Sequence, residues 1–132
     1  MGTTENEKIV REVYDNFAVG DIPAVLAAFA GDIHWHVPGR SPISGDYTGR
    51  QGVVDFFQRF LGLADEGSFS IEVDDLLAGV DQVVALVAVS ASRNGRAWAS
   101  PEVHVWRITD GKASAFREFQ GDQQTEDEFW SS

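Results

Sequence analysis

The sequence predicts an α+β domain with its helices first and most of its sheet after them. Two observations carry that class. Up to Leu61 the apolar residues recur mainly at helical intervals, and from Ser68 onward they alternate with the period of strands. Three turn signals, Gly79-Val80-Asp81, Asn94-Gly95 and Asp110-Gly111, then divide the second half into four segments of strand length.

Thr4-Glu5-Asn6-Glu7 matches a capping box, which sets the start of the first helix. Ile9, Val13 and Phe17 follow at helical spacing with Val10 and Tyr14 beside them, and the helix ends near Gly20. Asp21 can cap a second helix, with Pro23 in its first turn and Val25, Leu26 and Phe29 on its apolar side. Ile33-His34-Trp35-His36-Val37 alternates strictly, so it reads as a strand with Ile33, Trp35 and Val37 on one face. Pro38 and Gly39 end it, and a loop runs to Gly49 with a short extended piece at Asp46-Tyr47-Thr48.

Thr48-Gly49-Arg50-Gln51 repeats the capping-box pattern and opens a third helix, with Val53, Val54, Phe57, Phe60 and Leu61 expected inward. Strands are expected at roughly 68–78, 82–93, 96–109 and 112–119. Joined by short turns they form an antiparallel meander, one face of which the helices can cover. The tail from Asp122 to Ser132 looks detachable, although Phe129 and Trp130 call for a surface to dock on.

The chain of 132 residues, 43% apolar, suffices for one domain spanning 1–132, and no repeat or linker divides it. A net charge of −11 argues against a phosphate backbone as partner and favours a small molecule or another protein; no nucleic acid is expected. The longest unbroken apolar run, Val83 to Val89, is far short of the roughly 20 residues of a membrane-spanning helix. The first residues lack the basic and apolar regions of a secretory signal, so the expected compartment is the cytoplasm. Cysteine is absent, which excludes disulfides and thiolate nucleophiles.

The element order resembles the nuclear transport factor 2-like superfamily and, within it, the SnoaL-like polyketide cyclase group. The motifs that carry the likeness are Gly20-Asp21 with Phe29-Ala30-Gly31-Asp32, Trp35-His36-Val37-Pro38-Gly39 with Gly45-Asp46-Tyr47-Thr48-Gly49, and Val103-His104-Val105-Trp106-Arg107 with Asp110-Gly111-Lys112. The resemblance covers nearly the whole chain and implies a cone: a strongly curved antiparallel sheet packed against three N-terminal helices, the cystatin-like and ketosteroid isomerase-like fold. It further implies a pocket open at one end and a homodimer through the outer face of the sheet. These motifs fix turns and core positions, so they speak to architecture more than to activity.

Period-two counting on the strand at 96–109 puts Trp98, Ser100, Glu102, His104, Trp106 and Ile108 on one face, the pocket face by resemblance. On the last strand Phe116 groups with Glu118. His104 and Glu118 are expected neighbours across the Asp110-Gly111 turn, with Glu102 as third member. Polyketide cyclases place a His and an acid on these strands, and the resemblance gives Glu118 the role of general acid/base with His104 and Glu102 as its partners. A buried His–Glu hydrogen bond that only stiffens the sheet is the competing account. Tyr14, Trp35, Phe57, Trp98, Trp106 and Phe116 are the expected pocket wall, suited to a small apolar or cyclic molecule.

Ketosteroid isomerases need a Tyr on the first helix, an Asp ending the first strand and an Asp on the penultimate strand; the matching positions here are Val13, Val37 and His104. Epoxide hydrolases need an Arg and two Asp residues where Glu102, His104 and Glu118 stand. Both chemistries are disfavoured. His34 and His36 have a spacing that could ligate a metal, yet alternation turns them outward, and neither a metal nor another cofactor is expected. The expectation is therefore cofactor-independent proton transfer on a small, apolar carbonyl compound (a cyclisation, isomerisation or lyase step), the alternative being a non-catalytic ligand-binding or dimerisation module.

Overall fold

The computed structural model describes residues 2–132. Helix α1 (Thr3–Ala18) leads through a left-handed Gly20 into α2 (Ile22–Ala27), whose N-terminus Asp21 caps by accepting the Ala24 N–H at 3.1 Å. The Thr4 capping box does not form, because the helix already begins at Thr3 and a capping residue must lie outside helical backbone. Asn6, a member of that expected box, instead donates through Nδ2 to the carbonyls of Gly79 and Val80, pinning α1 to a distant turn.

Strand β1 (Phe29–Val37) starts earlier than alternation alone suggests. Phe29, assigned to the second helix from its spacing, opens this strand because α2 stops after six residues. Strand β2 (Gly45–Thr48) pairs antiparallel with β1, and α3 (Gly49–Leu63) follows. Thr48 occupies the N-cap position without making a cap bond, and Gln51 binds Asp55 one turn on rather than closing the box. The inward stripe of α3 is Val53, Phe56, Phe57 and Phe60; Leu61, one step of about 100° further round, is 45% exposed and Val54 is only half-buried.

The meander forms as expected: β3 (Ser70–Ala78), β4 (Gln82–Arg93), β5 (Arg96–Thr109) and β6 (Lys112–Gln120) pair in sequence, all antiparallel. Two of its turns are built on backbone that favours Asn, Asp and Gly: φ is 53° and 77° at Asn94-Gly95 and 51° and 76° at Asp110-Gly111. Parallel pairing of β1 with β6 extends the meander to six strands in the order β2-β1-β6-β5-β4-β3, a curved sheet that does not close. Helix α1 crosses the β3 and β4 end while α3 covers β1 and β2, so the concave face holds the core. Among the described residues no helix is long and apolar enough to cross a membrane.

The tail is not detachable. Asp122 caps a fourth helix, α4 (Gln123–Ser131), by accepting the Thr125 N–H at 3.1 Å, and Glu126, Phe129 and Trp130 on one face of α4 are buried. Arg93 donates to the carbonyls of Phe129 and Trp130, satisfying groups that a helix end leaves unpaired. Trp98 stacks on Phe129 with centroids 5.1 Å apart, which seats α4 against β5.

Candidate functional site

Alternation along β5 and β6 aims Glu102, His104 and Trp106, with Phe116 and Glu118, into the concave face, where all five are buried. The antiparallel register sets His104 directly opposite Glu118 and Trp106 opposite Phe116. Helix α1 brings Tyr14 from above, and β1 brings Trp35, stacked on Phe116 at 3.8 Å between centroids. A cavity of about 70 Å³ remains between them. The three ionisable and six aromatic residues singled out in the sequence all line it: Glu102, His104 and Glu118, and the rings of Tyr14, Trp35, Phe57, Trp98, Trp106 and Phe116.

The polar groups form a directed chain. Trp106 Nε1 donates to the Tyr14 hydroxyl at 2.9 Å, and an indole can only donate. The tyrosine hydrogen therefore goes to its other partner, His104 Nδ1, at 2.6 Å. His104 is thereby the Nε2–H tautomer, and this hydrogen points at Glu102 Oε1 at 2.9 Å. Burial holds the imidazole neutral by driving its pKa down to about 3. Burial likewise raises the Tyr14 pKa, so the hydroxyl keeps its proton.

From the other side Glu102 is hydrogen-bonded to Glu118, and Glu118 to Glu126 of α4. Gln120 Nε2 bridges Glu118 and Glu126 at 3.2 and 2.9 Å, and Gln123 Nε2 donates to Glu126 at 2.8 Å. Burial raises all three carboxyls, with repulsion among them adding to it: Glu102 and Glu118 rise to about 8 and Glu126 to about 9. Contacts between carboxyl groups require protons, and the trio titrates as one coupled unit. Glu102 receives hydrogen bonds from both His104 and Glu118, so it is the member best able to carry the negative charge, while Glu118 keeps a proton.

Glu126 and Trp130 were not among the candidates read from sequence, yet both line the cavity. The available signal was local: Asp122 three residues before Thr125, followed by Glu126, Phe129 and Trp130 at helical spacing. Tyr14, rather than the neighbouring Val13, supplies the first helix's hydroxyl. Arg50, at the start of α3, donates to the carbonyls of Leu26 and Phe29. His34 and His36 lie on the outer side, both against Asp46 Oδ1, at 3.1 and 2.9 Å.

One atom from each of Glu102, His104 and Glu118 falls within 4.8 Å of the others, a loose approximation to a cation site. The tautomer opposes it. Nε2 presents a hydrogen where a metal needs a lone pair, and reversing the tautomer would turn Nδ1 into a donor and strip the Tyr14 hydrogen of its acceptor.

A curved, unclosed sheet folded over an aromatic cavity that buries its acids is the nuclear transport factor 2-like fold. The SnoaL-like domain profile matches residues 10–116, and the chain belongs to that family. It is 29% identical over 124 residues to the uncharacterized protein Rv0034 of Mycobacterium tuberculosis (strain ATCC 25618 / H37Rv), covering 93% of this chain and 94% of that one. Among solved structures it is similar to Bal32a from a soil-derived mobile gene cassette (30% identity, TM-score 0.92, 97% of this chain and 98% of that one). It is also similar to a protein of unknown function with a cystatin-like fold from Xanthomonas campestris (29% identity, TM-score 0.88, 100% of both chains).

Proposed function

We propose that this protein is a cofactor-independent acid/base enzyme acting on a small, apolar carbonyl compound. The observation that carries the reading is the directed chain from Tyr14 through His104 to Glu102, meeting a protonated Glu118 inside an aromatic cavity. In the proposed step Glu118 gives its proton to the carbonyl oxygen while the Glu102 carboxylate takes the proton from the adjacent carbon. The electrons of that C–H bond become the C=C bond of an enol; where a further C=C bond is conjugated with it, Glu102 returns its proton to the far carbon while the enol O–H gives its proton back to Glu118, which re-forms the C=O bond and completes an isomerisation. Raised pKa values suit both acids to this exchange, because a shuttle works best with a pKa near the working pH. His104, with both nitrogens engaged, is a positioning residue that holds Glu102 rather than a donor to the enolate.

Solvent deuterium incorporation into a panel of small cyclic ketones and enones, followed by mass spectrometry, tests the step. Wild type should accelerate exchange next to the carbonyl, and Glu118→Gln should lose about a hundredfold or more of that acceleration. Exchange at the wild-type rate in Glu118→Gln would rule out Glu118 as the proton donor, and no acceleration by wild type would leave a non-catalytic binding pocket as the better reading.

The same reading includes a homodimer. On the convex face Leu86, Val103 and Phe119 form one apolar row across β4, β5 and β6, and Leu86 and Phe119 are 37% and 47% exposed. Covering such a row is what a second copy would do. Light scattering at micromolar concentration checks it, and a purely monomeric mass overturns it.

A further inference from the structure

The outer face of the sheet gathers a second set of ligand atoms, away from the cavity. His36 and Asp46 are register partners across β1 and β2, and His34 lies two residues back along β1, on the same outward side. His34 Nε2 and His36 Nδ1 both meet one atom, Asp46 Oδ1, at 3.1 and 2.9 Å. The side chains of His34, His36 and Asp46 are 53%, 32% and 59% exposed, so an ion has an open approach. Strand β2 is the edge of the six-stranded sheet, which leaves that side uncovered.

The obstacle that closes His104 to a cation is absent here. His104 Nδ1 is taken by the Tyr14 hydroxyl, which fixes its tautomer. Neither His34 nor His36 has a second hydrogen-bond partner among the described residues, so each ring is free to carry its hydrogen on the other nitrogen and turn a lone pair toward Asp46. The hydrogen bond from His36 holds the Asp46 carboxyl below its usual range, so that group brings a negative charge. Two imidazole nitrogens on alternate residues of one strand, joined by a carboxylate from the next, are a donor set that suits divalent transition metals. On the other flank Arg117 of β6 stands opposite His36, and Ala115 opposite His34. The arginine charge offsets that of Asp46. An ion held by charge alone therefore gains little, whereas one that bonds to imidazole nitrogen keeps most of its affinity.

We propose that His34, His36 and Asp46 bind one divalent transition-metal ion, of the nickel, copper or zinc class, through His34 Nε2, His36 Nδ1 and Asp46 Oδ1, with water completing its shell. The ion ties the four-residue strand β2 to β1. Because β2 runs directly into α3, whose Phe56 and Phe57 line the cavity, the same bonds steady one wall of the pocket. The site stands apart from the acid/base reading: its ligands lie on the opposite face of the sheet from the buried Glu102 and Glu118.

Isothermal titration of the untagged full chain with nickel chloride, and separately with magnesium chloride, tests the site. Wild type should bind one nickel ion per chain and show no comparable heat with magnesium. His34→Ala and His36→Ala should each weaken nickel by about tenfold or more, and the chain carrying both should lose the binding. All of these side chains are exposed, and circular dichroism confirms that each variant keeps the wild-type spectrum. A second readout identifies the donors: the electron paramagnetic resonance spectrum of the copper(II)-loaded chain should carry hyperfine splitting from two imidazole nitrogens, reduced to one in either single variant. No nickel binding by wild type, undiminished binding by the doubly substituted chain, magnesium bound as tightly as nickel, or a copper spectrum unaltered in the variants overturns the proposal. Deuterium exchange by Glu118→Gln reports on the acid/base step alone, so either reading can fail without the other.

Discussion

His104 and Glu118 face each other across the β5–β6 ladder, yet the hydrogen bond of His104 Nε2 runs along its own strand to Glu102 at 2.9 Å. Glu102 is thus the meeting point of two donors, one from each side. That arrangement separates a carboxyl that holds charge from one that holds a proton.

Tyr14→Phe removes the hydroxyl that joins Trp106 Nε1 to His104 Nδ1. A buried donor and a buried acceptor are then stranded, at about 1–3 kcal/mol each. Urea unfolding should show the loss, and ¹⁵N spectra should show His104 no longer held in one tautomer. Wild-type stability in Tyr14→Phe would mean that the relay does not support the fold.

Stability should fall as pH rises from about 6.5 to 9. The folded pKa values of Glu102, Glu118 and Glu126 lie above their unfolded values, so the native state binds more protons; the stability this supplies is complete below about pH 4.5 and is lost as pH climbs through 8 to 9. His104 has the opposite sign, its pKa being depressed to about 3, and it destabilises only below about pH 6.5. Above that pH the carboxyls alone set the slope, up to about 1.4 kcal/mol per pH unit for each proton held. Melting temperatures across this range check the direction, and a rising curve would contradict a coupled trio that binds more protons folded than unfolded.

Glu126→Gln removes one titrating member while keeping its size. The slope between pH 6.5 and 9 should flatten, because one of the three raised carboxyls no longer titrates and Glu102 loses the repulsion of Glu126. An unchanged slope in parallel melts would place Glu126 outside the coupled unit.

Removing residues 122–132 should destabilise the protein by about 3–6 kcal/mol, the burial lost from Phe129 and Trp130 at roughly 1.5–3 kcal/mol per side chain. It also strips the lid from Glu118. Chemical denaturation of the truncated chain decides this, and a loss under about 1 kcal/mol would restore the tail as a detachable appendage.

In a chain whose His34 and His36 on the outer side are replaced, added zinc should leave the melting temperature unchanged, because the hydrogen on His104 Nε2 faces the approach a cation would take. A ligand that binds the native state raises its melting point, so a clear rise that persists in that chain would show that the tautomer reverses and that Glu102, His104 and Glu118 act as ligands.

The strands, their turns and the facing of β5 and β6 were legible because each depends on neighbours within a few residues. Period two decides which side Glu102, His104 and Glu118 take, and Asn94-Gly95 and Asp110-Gly111 decide where the chain reverses. Helix ends were read less well, since Thr4 and Thr48 have capping chemistry in sequence but make no cap bond in the fold. Partners across long separations were not readable at all. Tyr14 and His104 are 90 residues apart, and only the packing of α1 over the concave sheet brings a hydroxyl to that ring and so selects its tautomer. Glu126 reads in sequence as one more solvated acid of a tail; only the docking of α4 through Phe129 and Trp130 buries it beside Glu118. Local periodicity sets which way a side chain points, but a proton's place depends on distances between elements, and tertiary packing alone decides those.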